Sequence, residues 1–367
     1  MRIAVRELIR RPGRFVVVGG ALALLVLLLL FLGALLDGLF LNSSGAIRAQ
    51  DTDAIVFSDD ARESFLRSTI DAPTRAEVEA VDGVESTGGL GLSLLGADIP
   101  DSDDIENAAV IGYERATDTL PEPPAPGETY ADRDLDDLGA DVGDTVLVGP
   151  AEVPLEIVGW VDDANYLLQY GLWVEPGTWR EVQNANRPDA VVADDEFQVL
   201  TATTASGADP EVVRADIDDA TGTTQTLSQN EAVFAIPGIS EQNSTFAAVI
   251  GVTLFVVGLV VALFFALLTL ERLGLYAVLK AVGARTRTIV LGVIVQSVAV
   301  ALGAFVVGGV LTFGLAQVVP AAVPVQFEVS RAVFTAGAVV VTSILGAIVS
   351  LRRIIRIDPA SALGSGV

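Results

Sequence analysis

Residues Phe246–Leu270 read FAAVIGVTLFVVGLVVALFFALLTL, 25 residues in succession without a charged side chain. A helix rises 1.5 Å per residue, so about 20 such residues cross a hydrocarbon core of roughly 30 Å. Three other charge-free stretches pass the same test: Phe15–Leu36 (22 residues), Ile289–Val319 (31) and Ala332–Leu351 (20). Four transmembrane helices are therefore expected. The third is over-long and carries Gly303, Gly308, Gly309 and Gly314, which predicts tilt, a kink or a protruding end. The first exceeds the roughly 7–15 apolar residues of a signal peptide and reads as a retained anchor. Inside the third span, Gln296, Ser297, Thr312 and Gln317 are expected to hydrogen-bond between helices.

Charge is distributed in the opposite sense. The chain has 367 residues, 51% of them hydrophobic, yet a formal charge of −25. From Asp37 to Gln242 there are 43 acidic and 9 basic residues, whereas the remainder has 4 acidic and 13 basic. One block is polyanionic and the rest is apolar with basic edges. Such a block is a poor partner for nucleic acid, which needs clustered Lys and Arg. Lys280 is the only lysine, and carboxylates dominate the polar surface. Dense negative charge is tolerable when salt screens it, so the composition reads as adaptation to high salt, as in a halophilic archaeon.

The basic clusters fix the orientation by the positive-inside rule. Arg2, Arg6, Arg10, Arg11 and Arg14 precede the first span, Arg272, Lys280, Arg285 and Arg287 follow the second, and Arg352, Arg353 and Arg356 follow the fourth. Both termini are thus expected in the cytoplasm, in a multi-pass protein of the cell membrane. The expected organisation is a cytoplasmic N-terminus (1–14), span one (15–36) and an extracellular domain (37–245). Span two (246–270), a cytoplasmic loop (271–288), span three (289–319), a short outer loop (320–331), span four (332–351) and a cytoplasmic tail (352–367) follow.

The acidic block reads as a packed α+β domain. Short apolar runs bounded by turn residues predict strands at Asp53–Phe57, Ala108–Tyr113, Thr145–Val148, Leu155–Trp160, Gly171–Val174 and Phe197–Ala202. Helices are expected at Thr74–Val81, opened by a Thr74/Glu77 capping box, and at Asp209–Asp219. Leu120–Pro126 is a proline-rich loop. The carboxylate groups Asp101–Asp104, Asp162-Asp163 and Asp194-Asp195-Glu196 read as solvated surface rather than cation sites. Asn42-Ser43-Ser44 and Asn243-Ser244-Thr245 are glycosylation sequons beside the membrane.

Inventory removes most enzyme classes. With no cysteine and no histidine, disulfide scaffolds, zinc peptidases and histidine-based hydrolases are excluded. A P-loop needs Gly-Lys-Ser/Thr, and Lys280 lies between Leu279 and Ala281. No cofactor motif is present, so the chain is not expected to be an enzyme. Charge-free spans also disfavour ion-coupled transport.

The loop after the second span reads Glu271-Arg272-Leu273-Gly274-Leu275-Tyr276-Ala277-Val278-Leu279-Lys280-Ala281-Val282-Gly283-Ala284. Leu275, Tyr276, Leu279 and Val282 recur at helical spacing, predicting a short amphipathic helix that Gly283 ends in the left-handed conformation. This loop resembles the hallmark of FtsX/MacB/LolC-type ABC transporter permeases, close in size to the DevC-like members that have no fused ATPase. The tail Arg352–Leu363, with Asp358-Pro359-Ala360, resembles that family's closing signature. Leu138–Val146 and Val81–Val84 resemble segments of the MacB-type periplasmic core domain.

The resemblance implies four transmembrane helices with a MacB-like α+β domain between helices 1 and 2. It implies a cytoplasmic ABC ATPase as partner, seated on a coupling helix through Glu271, Arg272, Tyr276, Leu279, Lys280, Val282 and Gly283. Four spans make a poor pore alone, so a homodimer embedded in lipid is expected. Mechanotransmission would then export or extract a lipophilic or peptide substrate, with room for an extracellular accessory protein. The alternatives are an FtsX-like regulator of an extracellular hydrolase, or a membrane receptor or scaffold independent of any ATPase.

Overall fold

The computed structural model describes residues 12–100, 102, 104–271, 274, 278, 282–283, 285–320 and 323–355. The chain divides into a membrane unit, residues 1–38 and 243–367, and a sheet unit, residues 39–242.

Four helices among the described residues are long and apolar enough to cross a bilayer: α1 (Pro12–Arg48), α6 (Ile239–Glu271), α7 (Thr286–Ala316) and α8 (Val329–Ile355). Apolar side chains surround α6, whose outward row Val252, Phe255, Leu259, Leu263 and Leu267 is exposed as a lipid-facing surface requires. Inner faces meet through small residues. A Cβ on Gly308 of α7 would come within 2.8 Å of the Ala23 carbonyl of α1, and one on Gly346 of α8 within 2.5 Å of the Gly258 carbonyl of α6. Close backbone approach of this kind replaces hydrophobic attraction, which lipid removes as a driving force.

All four helices differ in extent from the hydropathic stretches, and α7 lies three residues earlier, at Thr286–Ala316, than the run Ile289–Val319. Helix α1 continues twelve residues beyond Leu36, taking in Asp37, which is paired with Arg331, and the apolar Leu39, Phe40 and Leu41. Helix α8 starts at Val329 and takes in Arg331, which the sequence reading left in the outer loop. The start of α6 at Ile239 likewise precedes the apolar stretch. Uncharged runs mark what lipid can hold, whereas helices end where caps and partners end them.

Among the described residues the sheet unit holds nine strands in the order β3-β7-β4-β6-β5-β2-β8-β1-β9, and β2 also pairs with β3. They are β1 (Ala54–Ser58), β2 (Val84–Asp98), β3 (Ile105–Tyr113), β4 (Glu128–Asp132), β5 (Thr145–Val148), β6 (Val153–Val161), β7 (Tyr170–Val174), β8 (Val199–Thr204) and β9 (Thr224–Leu227). Strand β2 pairs with β8 through Val84–Leu90 and with β3 through Leu90–Asp98, so β3-β7-β4-β6-β5-β2 closes on itself. Both faces are covered. On β3, Ala108 and Val110 enter one core while Ala109 and Ile111 enter a second, which is why the strand reads as a continuous apolar run.

Helices α2 (Ala72–Glu79), α3 (Pro176–Asn186), α4 (Pro210–Thr221) and α5 (Gln229–Ala235) pack on this sheet. The expected Thr74/Glu77 capping box does not form. Asp71 caps α2 by accepting from the Thr74 N–H at 3.0 Å, and Pro73 fits the first turn, where its missing N–H is no loss. Asp209 caps α4 as its position suggests, and a reciprocal Ser228/Glu231 box opens α5.

Candidate functional site: the loop between the second and third spans

Helix α6 ends at Glu271 and α7 begins at Thr286. Between them Val282 N–H donates to the Val278 carbonyl at 3.0 Å, one helical turn, and Gly283 follows with φ +97°. A side chain is strained at that φ, so glycine suits the turn. Val282 is 82% exposed, more than any other large apolar side chain among the described residues, and Val278 is 59% exposed. Exposed apolar groups on a helical turn flanked by Arg285 and Arg287 form a surface that a protein partner can cover. Arg272, Tyr276, Leu279 and Lys280 lie outside the described residues, as does the tail from Arg356 onward.

Among the polar groups of the third span, Thr312 makes the expected contact between helices and Ser297 does not. Ser297 donates to its own helix at Ile294 O (2.9 Å), and Thr312 to Gly308 O (2.8 Å) with a longer approach to Leu27 O of α1 (3.5 Å). Gln317 caps the helix and is exposed. Hydroxyls in a helix reach a carbonyl one turn back more readily than a neighbouring helix.

The sequence reading missed an ion pair in the membrane unit. Arg331 of α8 donates from Nε to Asp37 Oδ1 of α1. Asp37 is 5% exposed, and its Oδ2 has no hydrogen-bond partner among the described residues. The legible signal was two opposite charges at the same end of the first and last spans. In the sheet unit Asn42 lies inside α1 and accepts from Asn165 Nδ2 at 3.1 Å, so that sequon is part of the packed structure.

Burial pushes Asp132, at the end of β4, up to about 7, with Asp134, Asp163 and Asp162 adding repulsion. Its Oδ1 accepts from Asp134 N–H while Oδ2 is buried without a partner among the described residues. Asp162 pairs with Arg133 at 2.5 Å.

With helices α6, α7 and α8 and their connecting loop in place, comparison with known proteins bears first on this part of the chain. Residues 247–359 match the FtsX-like permease C-terminal family. The FtsX-like segment thus takes in the body of α6, the exposed Val278–Gly283 turn, α7 and α8. Over 376 residues and 98% of each chain, the sequence is 28% identical to an uncharacterised ABC transporter permease of Mycobacterium tuberculosis. A second uncharacterised permease of that organism is 27% identical over 381 residues, again across 98% of each chain. The solved periplasmic region of MacB from Actinobacillus actinomycetemcomitans aligns with 51% of this chain and 94% of its own, at 10% identity and a TM-score of 0.35.

Proposed function

We propose that this chain is the permease subunit of an ABC transporter, driven by a separate cytoplasmic ATPase and working by mechanotransmission. The observation that carries the reading is the FtsX-like match over residues 247–359, which encloses an exposed apolar turn between two spans. Glu271, Arg272, Tyr276, Leu279, Lys280, Val282 and Gly283 form the ATPase-coupling element, with Leu279 and Val282 as apolar anchors. Both termini and this loop lie in the cytoplasm and the sheet unit lies outside, as the basic flanks require. Two copies of the chain embedded in lipid supply eight spans, and an extracellular accessory protein completes the route where the substrate leaves the sheet unit. Helices α1 and α6 are each unbroken where the chain passes between units, so ATP-driven displacement of the loop reaches the sheet unit through helix rather than coil. The cargo class consistent with charge-free spans is a lipophilic molecule or peptide exported or extracted at the membrane.

The test is affinity purification of the tagged chain from native membranes in high salt. An ABC ATPase is expected to co-purify, and to be lost when Leu279 and Val282 are both replaced by Asp. Intact chain recovered without an ATPase, under conditions that keep a known transporter complex together, would reject the reading in favour of a scaffold.

A further inference from the structure

The loop between β6 and β7 takes hold of the α1 backbone. Leu167 N–H donates to Ser43 O and Leu168 N–H to Asn42 O, both at 3.1 Å, while Ala46 N–H donates to Asn165 O at 2.9 Å. Backbone groups of a helix interior are thereby shared with a loop more than a hundred positions later in the chain. Asn165 ties the two together: its Nδ2 donates to Asn42 Oδ1 (3.1 Å) and its Oδ1 accepts from Gly171 N–H of β7 (2.9 Å). Ala164 O accepts from Trp173 Nε1 at 3.1 Å, fixing the loop to the buried face of β7.

Two features show that this contact is held against strain. A Cβ on Gly45 would lie 2.2 Å from the Asp163 carbonyl, so only glycine admits the loop. Asp163, Leu167 and Leu168 sit at φ 52°, 51° and 63°, a region unfavourable for side chains and retained only where surroundings over-determine it. Beyond the contact, Ala46, Ile47 and Ala49 are buried in the sheet-unit core.

The other helix leaving the sheet unit begins differently. Helix α6 starts after Gly238 (φ +88°), and Ile239 is in the core, but Ser240 and Glu241 are exposed and Gln242 is half-exposed. We infer that the 162–169 loop is a mechanical joint that clamps α1 to β6 and β7 more firmly than α6 is held at Ile239, with Asn165 the positioning residue of the joint. A pull on α1 is then delivered to β6 and β7 instead of being absorbed by fraying of the helix end. The inference rests on the permease reading for its purpose, but its test does not.

Full-length chain in a lipid bilayer is pulled from the N-terminus, and separately from the C-terminus, by single-molecule force spectroscopy. Pulling on α1 should give a distinct rupture peak at the contour length of residues 42–49, higher than the peak at Ile239 reached through α6. Asn165→Ala should abolish the α1 peak while the later unfolding peak of the sheet is kept. Equal peaks from the two ends, or an α1 peak unaltered by Asn165→Ala, would overturn the joint. Gly45→Val is the harsher variant; if it unfolds the sheet, Asn42→Ala substitutes for it, with the same loss expected. No ATPase or cargo takes part, so failure to find an ATPase partner leaves this result standing, and the reverse holds too.

Discussion

Asp132 keeps its proton up to about pH 7 because burial outweighs the single N–H it accepts from Asp134. Its folded-state value near 7 stands above an ordinary carboxylate, so the folded chain holds more protons than the unfolded chain between about pH 4 and pH 7. Stability from this group is therefore fully present below the unfolded value and is lost as pH rises through 7, by about 4 kcal/mol at most. Asp132→Asn keeps the acceptor for Asp134 N–H and removes the ionisation. The variant should be more stable than the parent at pH 8 and equal to it near pH 4, as read from the difference in thermal midpoints of the sheet unit. A parent-minus-variant difference that is flat with pH would show Asp132 to be ionised throughout.

Helices α1 and α8 meet at a different kind of carboxylate. Asp37 is buried with one oxygen on Arg331 and the other without a partner among the described residues, while the Arg331 side chain is 39% exposed. Breaking such a pair from one side leaves an uncompensated buried charge, about 3 kcal/mol or more when both members are buried and less here, where one reaches the surface. Arg331→Ala should lower the unfolding midpoint in detergent, and adding Asp37→Asn should restore part of it; a simple sum of two losses would mean the pair is uncoupled. These elements also show what the sequence could and could not reveal. The spans were legible because length and absence of charge leave one solution in lipid, and β3, β5, β6 and β7 because their apolar runs are bounded by turns. Strand β2 was not, since Gly88, Gly89, Gly91 and Gly96 erase its alternation. The physical reason is what packs on the face those glycines present: a Cβ on Gly91 would fall 2.2 Å from the Trp179 ring and one on Gly89 2.4 Å from Phe197. Glycine there records an aromatic neighbour more than eighty residues away, which no local pattern contains. The Asp37–Arg331 pair is likewise non-local. Within the candidate docking loop, spacing anticipated the Gly283 turn, whereas the coupling role assigned to the loop came from family resemblance alone.

Taken as one molecule, the chain combines a sheet unit rich in carboxylates with a membrane unit almost free of them. Between Asp37 and Gln242 the imbalance is 43 acidic to 9 basic residues, and self-repulsion at that density opposes the compact state. The Debye length is about 10 Å at 0.1 M salt and about 3 Å at 1 M, so molar salt screens neighbouring carboxylates that dilute salt leaves in contact. Unscreened repulsion should act on the sheet unit and spare the spans, whose stability comes from apolar packing around Gly308 and Gly346. The chain offers a clean readout, because its tryptophans, Trp160, Trp173 and Trp179, all lie in the sheet unit. Tryptophan fluorescence of the purified protein should report a thermal midpoint that falls steeply as salt is lowered from molar to about 0.1 M, while helical dichroism, dominated by the four spans, changes little. Sodium and potassium chloride should act alike if screening is the cause, and a bound cation would separate them. A tryptophan midpoint indifferent to salt would remove the argument for high-salt adaptation and would require local partners, such as Arg75 with Glu79 and Glu114, to hold the charge balance of the sheet unit.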